Sequence, residues 1–282
     1  MTDLRLTFHV GLHKTGSTYF QQAVFPHWPE LGYVGRPLRR DTIRAMVESG
    51  ASSVLFSSES LAGSLIDAYR DPHRDWLARQ CRQIRRLGAL FSGAGVMIGF
   101  RGHAGWLLSI YKHYLKYGGT RELETFIDPE RDKGLLRCRD LHLQPRLSSC
   151  LEAFGERVFP FLWEELRDDP ERLFGDMARF LGVAPTHWQR TTGQRLNEGV
   201  DRRQAAILQR LNRLTGGLAC PDPLRSLRFA LARGLGSLGG SAPALALPPA
   251  LAAWVREDLA DDWQQLTGTI RQLRAAGGDG AA

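Results

Sequence analysis

Residues 4–21 read LRLTFHVGLHKTGSTYFQ, and the order of letters in this stretch decides the fold. The first eight, "LRLTFHVG" (4–11), are β-rich, start with alternation and turn apolar, as a strand entering a core does. They run into Gly11 and then into His13-Lys14-Thr15-Gly16-Ser17-Thr18. From Ser17 or Thr18 onward, Tyr19, Phe20, Ala23 and Val24 recur at helical spacing. Strand, glycine turn, helix is the setting in which backbone N–H groups converge on an anion. A nucleotide-triphosphate loop reads G-x-x-x-x-G-K-[ST], with glycine just before lysine. Here Lys14 comes first, and Thr15, Gly16, Ser17 and Thr18 follow. Amides and hydroxyls are expected to cradle an anion, with Lys14 as a point charge. The plain alternative is a strand-to-helix turn carrying an exposed lysine.

Working outward, "SSVLFSS" (52–58) and "AGVMIGFR" (94–101) are short apolar runs of the kind buried parallel strands show. The amphipathic "PHRDWLARQCRQIRRLG" (72–88) between them is expected to be a helix ending at Gly88. "RVFPFLW" (157–163) reads as a further strand, and Pro160 places it at an edge or makes it irregular. Alternating strands and helices over 4–182 predict an α/β domain with a largely parallel sheet. From 201 the pattern is helical: "DRRQAAILQRLNRLTGG" starts at Asp201 and stops at Gly216-Gly217. "GLGSLGGSAPALALPP" (234–249) reads as a loop or mobile lid, followed by a last helix over roughly 249–275 and a frayed tail. The organisation expected is one domain over 1–282, with an α/β nucleotide-binding core (1–200) and a helical extension (201–275).

Hydrophobic residues at 43% and charged residues at 24% are ordinary for a globular protein. The net charge of +7 comes from scattered arginine, which suits a solvated surface, a basic cleft for a small anion, or attraction to nucleic acid or an anionic membrane. Cys81, Cys138, Cys150 and Cys220 have no metal-ligand or redox spacing. The N-terminus lacks a signal peptide's basic and apolar regions, and "ALALPPALAAWV" is too short and proline-split to span a bilayer. A cytoplasmic protein with reduced cysteines, no stable membrane insertion and no metal is therefore expected.

Two more segments carry candidate chemistry. Arg101 ends a strand where open α/β sheets bind ligands, and Ser109 follows in "RGHAGWLLSIY". Taken alone, that helix reads equally as one whose tryptophan and tyrosines pack. "FSSESL" (56–61) leaves another strand end, and Glu59 there is placed to act as a general base on an acceptor hydroxyl. Equally, Ser58-Glu59 is placed to cap the next helix. Of the eight histidines only His13, inside the loop, is placed to matter.

Taken together, these segments resemble the sulfotransferases that use 3′-phosphoadenosine-5′-phosphosulfate (PAPS). In that family a loop like "HKTGST" after a strand wraps the 5′-phosphosulfate end. A strand-terminal arginine with a serine about eight residues on holds the 3′-phosphate; Arg101 and Ser109 fit, with Tyr111 in the usual aromatic place. "FLWEELRDDPERLFGDMARFLGV" (161–183) and "RLNEGVDRRQ" (195–204) resemble two further stretches of the family. The likeness covers roughly 5–205. The Arg-Lys-Gly element and the histidine base of the cytosolic steroid and phenol enzymes are missing, and "SSE" is more like bacterial and carbohydrate-type members.

The resemblance implies a P-loop-NTPase-like three-layer fold and sulfuryl transfer without metal to a hydroxyl or amine of a small-molecule, lipid or carbohydrate acceptor. Lys14 would stabilise the leaving oxygen. Gly16, Ser17 and Thr18 would hold the 5′-phosphate, Arg101 and Ser109 the 3′-phosphate. Glu59 is the first choice of base and His13 the second. A P-loop kinase using ATP-Mg²⁺ and a non-catalytic nucleic-acid-binding protein are the alternatives, although no nucleic-acid motif is visible. Acceptor contacts are expected from the loops at 31–50, 118–140 and 216–248.

Overall fold

The computed structural model describes residues 4–35, 41, 44, 48, 50–71, 73, 75–184, 200–238 and 242–278. One parallel sheet is built from β1 (Arg5–His9), β2 (Leu31–Val34), β3 (Ser53–Ser57), β4 (Gly95–Phe100) and β5 (Val158–Leu162). Their spatial order is β2-β3-β1-β4-β5. All six residues of β4 are buried, which is why "GVMIGF" shows no polar alternation. β5 is an edge strand, so Pro160 opposite Ile98 costs the sheet no ladder donor between two neighbours.

The helices are α1 (Ser17–Tyr19), α2 (Leu65–Arg70), α3 (Trp76–Leu90), α4 (His103–Lys116), α5 (Leu123–Phe126) and α6 (Gln144–Phe154). After β5 come α7 (Glu165–Asp168), α8 (Pro170–Leu181), α9 (Arg202–Leu214), α10 (Asp222–Ser237), α11 (Pro249–Asp258) and α12 (Ala260–Gly278). α1 runs on as a π turn over Phe20–Val24 and a 3-10 turn over Phe25–His27. Alternate strand residues feed two separate cores. Val96, Ile98 and Phe100 join Trp106, Ile110 and Leu147 on one face. Met97, Phe159 and Phe161 join Phe20, Phe25, Phe174 and Met177 on the other. Those are the three layers expected of an α/β fold.

Local chemistry sets the helix ends. Asp75 accepts from the Ala78 amide at 2.8 Å, so the helix foreseen at 72–88 starts at Trp76. Asp169 caps α8 by accepting from Arg172, Pro170 opens it, and Gly182 closes it at φ +69. Asp201 and Gln204 exchange side-chain and backbone bonds in a capping box at the start of α9.

Several expectations fail here, among them that of an acceptor loop over 216–248, since α10 occupies 222–237. Residues 31–34 belong to a strand rather than to an acceptor loop; four residues with only Leu31 and Val34 buried give too short a pattern to recognise. Most of the rest of that loop, including "GRPLR" (35–39) apart from Gly35, lies outside the described residues, as do 195–199 of "RLNEGVDRRQ". The glycine-rich 234–249 stretch is not a lid throughout. Residues 234–237 finish α10, 239–241 lie outside the described residues, and Ala244 bridges Asp201 in extended chain. Gly236 packs rather than breaks: a Cβ there would sit 2.5 Å from Gln204 Cγ, so its absence lets α10 close on α9. The last helix divides in two at Leu259.

A buried carboxylate fastens α12 to the body. Asp262 accepts from the Leu143 amide at 2.7 Å and the Gln144 amide at 3.1 Å, and bonds His103 Nε2 at 3.0 Å. Burial pushes its pKa up, but the His103 and His142 bonds and the two amides outweigh that and hold it well below the usual range. Asp262→Asn is expected to cost about 2–4 kcal/mol in urea unfolding, since buried partners lose an ionic acceptor. With the folded pKa lowered, this stabilisation is present above the unfolded carboxylate value and fades as pH falls through the folded one. A midpoint unchanged by the substitution would show that the network does not hold α12.

Candidate active site

Parallel strands deliver their carboxyl ends to one edge, and every candidate residue leaves from there. β1 leads to His13 and Lys14, β3 to Glu59, β4 to Arg101, and β5 to Trp163 and Glu164.

The loop is held from several sides. Thr15 Oγ1 donates to the Leu12 carbonyl at 2.6 Å and is buried, so this hydroxyl braces the turn instead of facing a ligand. Gly16 sits at φ +91, and a Cβ there would lie 2.0 Å from the Trp163 ring, so backbone and packing both demand glycine. Lys14 adopts φ +73, a left-handed conformation rare outside glycine. Among the described residues, the amides of Gly16, Ser17 and Thr18 meet no internal acceptor, and the buried Ser17 Oγ has no partner. Unpaired donors at a helix start are what an anion satisfies.

Three cations ring this edge. Burial pushes the Lys14 pKa down; the Glu59 charge opposes this, while Lys116 and Arg101 add to it. Arg101 is likewise lowered by burial, with Glu164 acting in the opposite direction. Lys112 is lowered by burial and then by Arg101. Among the described residues no carboxylate lies within ion-pair distance of Lys14, Arg101 or Lys112. The Arg101 guanidinium lies over α4, 3.0 Å from where a Gly105 Cβ would stand. Ser109 follows Gly105 by four residues on the same face, with Lys112 and Lys116 beyond it. Tyr111 does not join them: it is buried against Phe126, and its hydroxyl donates to the Arg121 carbonyl at 3.0 Å.

Glu59 does not cap. The cap belongs to Ser58, whose Oγ accepts from the Ser60 amide at 3.3 Å. The Glu59 carboxylate instead meets His13 Nδ1 at 2.8 Å, a coupling not read from the sequence. Burial raises the Glu59 pKa, yet the His13 bond and the charges of His13, Lys14 and His9 bring it below the ordinary value. The other His13 nitrogen lies 3.0 Å from the Gly63 carbonyl and 3.2 Å from the Leu65 amide. Both ring nitrogens of His13 are therefore engaged within the protein.

Sequence reading passed over His113. The Tyr69 hydroxyl donates its single proton to the Ile110 carbonyl at 3.0 Å and so accepts from His113 Nδ1 at 3.0 Å. That leaves Nε2 as a lone-pair acceptor. Burial, then the charges of Lys14, His13 and Lys116, lower His113 to about 2, so it stays neutral. The available signal was its four-residue spacing from Ser109. Beside Arg101, a cleft opens between the start of α4 and α11–α12, lined by Gly102, Gly105, Glu164, Leu259 and Trp263.

Among the described residues no His/Cys/Asp/Glu group has the makings of a metal site. No family model matches the chain, and no curated protein does. A solved sulfotransferase from Alicyclobacillus acidocaldarius is similar to it at 19% identity, over 81% of this chain and 96% of that one, with a TM-score of 0.48. At that level the likeness adds nothing to the site, whose chemistry rests on the side chains above.

Proposed function

We propose that the chain is a PAPS-dependent sulfotransferase acting on a hydroxyl or amine of a small-molecule, lipid or carbohydrate acceptor. The observation that carries this reading is the trio Lys14, Arg101 and Lys112: half-buried, without carboxylate partners among the described residues, beside a loop whose amides are unpaired. Burying uncompensated cations costs stability, and a multiply charged anion removes that cost. The fit is good, because the free Ser17 hydroxyl and loop amides offer one anion site and Arg101 with Ser109 a second. The cleft with Trp263 is suited to the flat apolar ring of a nucleoside.

When bound, the donor supplies an activated sulfuryl group. Lys14 holds the charge that grows on the oxygen being released. Glu59, kept ionised and oriented by His13, takes the acceptor's proton; His113 Nε2 accepts a hydrogen bond that orients the acceptor. ATP-Mg²⁺ is the competing donor.

Calorimetric titration separates the two. Adenosine 3′,5′-bisphosphate is expected to bind about ten- to a hundred-fold more tightly than adenosine 5′-monophosphate, the worth of one or two charge-assisted contacts. Arg101→Ala should erase most of that preference. Equal binding of the two nucleotides by the native protein, or tighter binding of ATP-Mg²⁺, sinks the assignment.

A further inference from the structure

Nine large apolar side chains are exposed among the described residues, and six of them, Leu214, Leu224, Leu227, Leu231, Leu235 and Leu238, lie within one helical hairpin. Five are on or at the end of α10, at successive spacings of three, four, four and three residues. At 3.6 residues per turn, those spacings place all five within an arc of about 80°. The buried side of α10 is a different one, formed by Arg228, Ala232 and Gly236. The leucines are therefore not core residues seen from outside. They form a solvent-facing stripe, and Leu214, next to the Thr215 that Arg228 bonds, carries apolar surface to the end of α9.

The same hairpin holds most of the excess charge. Residues 201–238 contain seven arginines (202, 203, 210, 213, 225, 228 and 233) against Asp201 and Asp222, which is five of the chain's net +7. Asp222 is already paired with Arg225. Arg228 lies buried with one bond, from its NH1 to Thr215 Oγ1 at 2.9 Å, while its Nε and NH2 donors have no partner. Leucines on one side and surplus arginine around them match the two layers of a lipid interface, acyl chains beneath anionic headgroups. A second copy of the chain would bring +5 against +5. Nucleic acid would satisfy the arginines but leave the leucines in water. Among the described residues no helix is long and apolar enough to cross a bilayer, so the contact would lie in the plane of the surface.

We infer that the α9–α10 hairpin docks this protein on an anionic lipid surface, with Leu224, Leu227, Leu231, Leu235 and Leu238 entering the headgroup–acyl boundary. The inference holds whatever group the active site transfers. Docking there would set the site beside the lipid, because Lys116 lies 4.4 Å over the Phe229 ring and Arg225 5.3 Å over Tyr117, whose ring lies tilted against that of His113.

The test is co-sedimentation of the full chain with vesicles of one part phosphatidylglycerol to two parts phosphatidylcholine, and with phosphatidylcholine alone. Binding is expected to the anionic vesicles, weakening as salt rises. Leu227→Glu with Leu231→Glu should lower partition at least about tenfold. Leu224→Ser with Leu235→Ser should act in the same direction, and urea midpoints confirm that both variants fold. Absence of binding to anionic vesicles overturns the inference, as does binding that ignores both pairs of substitutions. So does a dimer in sedimentation velocity that the same substitutions dissolve, which would make the stripe an interface between copies. RNA binding without vesicle binding would assign the charge to nucleic acid and overturn it as well.

Discussion

Lys14→Ala is expected to cut turnover by about a hundred-fold or more, with a smaller loss of affinity for adenosine 3′,5′-bisphosphate. The backbone that carries this lysine is held in place before any ligand arrives. It is locked at φ +73, the neighbouring Gly16 is wedged under Trp163, and Thr15 is bonded to Leu12. A donor on a backbone fixed in this way opposes charge that appears only as the bond to the leaving oxygen breaks, so it acts on the transition state more than on binding. The left-handed lysine also stores strain of about 1–2 kcal/mol. Lys14→Gly should therefore be as inactive as Lys14→Ala but more resistant to urea. Single-turnover kinetics with any reactive surrogate alcohol, beside calorimetry, separates the effects. Unchanged turnover with a raised Michaelis constant would make Lys14 a binding group only.

Glu59→Gln is expected to lower turnover by about 10²–10⁴-fold, the usual contribution of a positioned base. Bisphosphate binding should survive, because Glu59 points at His13 and not at the unpaired loop amides. The pH dependence follows from the sign of the shift. Net interactions lower the Glu59 pKa, so the carboxylate is ionised throughout the neutral range. The acid limb of the activity profile should then lie below the ordinary glutamate value of about 4.3. The stability contributed by the Glu59–His13 pair runs the same way: present above the unfolded value, lost as pH falls through the folded one. An imidazole base would place the acid limb near neutrality instead. A Glu59→Gln enzyme with full rate and a lower urea midpoint would reduce Glu59 to a strut for His13.

Much of the frame was legible because it depends on local letters. Apolar runs marked β1, β3 and β4, Pro160 put β5 at an edge, and Asp201 with Gly216-Gly217 bounded α9. The loop was legible for the same reason, since glycine and hydroxyls after a strand are local signals. Partnerships across long separations were not. Nothing at Glu59 announces His13, 46 residues earlier, and nothing at Gly16 announces Trp163. By its type Thr15 reads as one of the hydroxyls that cradle the anion, but its hydroxyl is spent on a carbonyl three residues back. His113 reads like any other histidine outside the loop, because its significance lies in Tyr69, on another helix. Gly236 reads as a breaker in sequence and acts as clearance between helices in space.

The site draws on four strand ends that span the chain from Lys14 to Trp163. No single hairpin or helix carries enough of it to hold a ligand. Occupancy is therefore linked to the whole sheet: a nucleotide bound at the strand ends opposes unfolding of β1, β3, β4 and β5 together. At a free concentration a hundred times its dissociation constant, such a ligand adds about 2.7 kcal/mol to global stability. The slowest-exchanging amides of β1 and β4 should gain protection in step, so the central strands will report occupancy although their own amides touch no ligand.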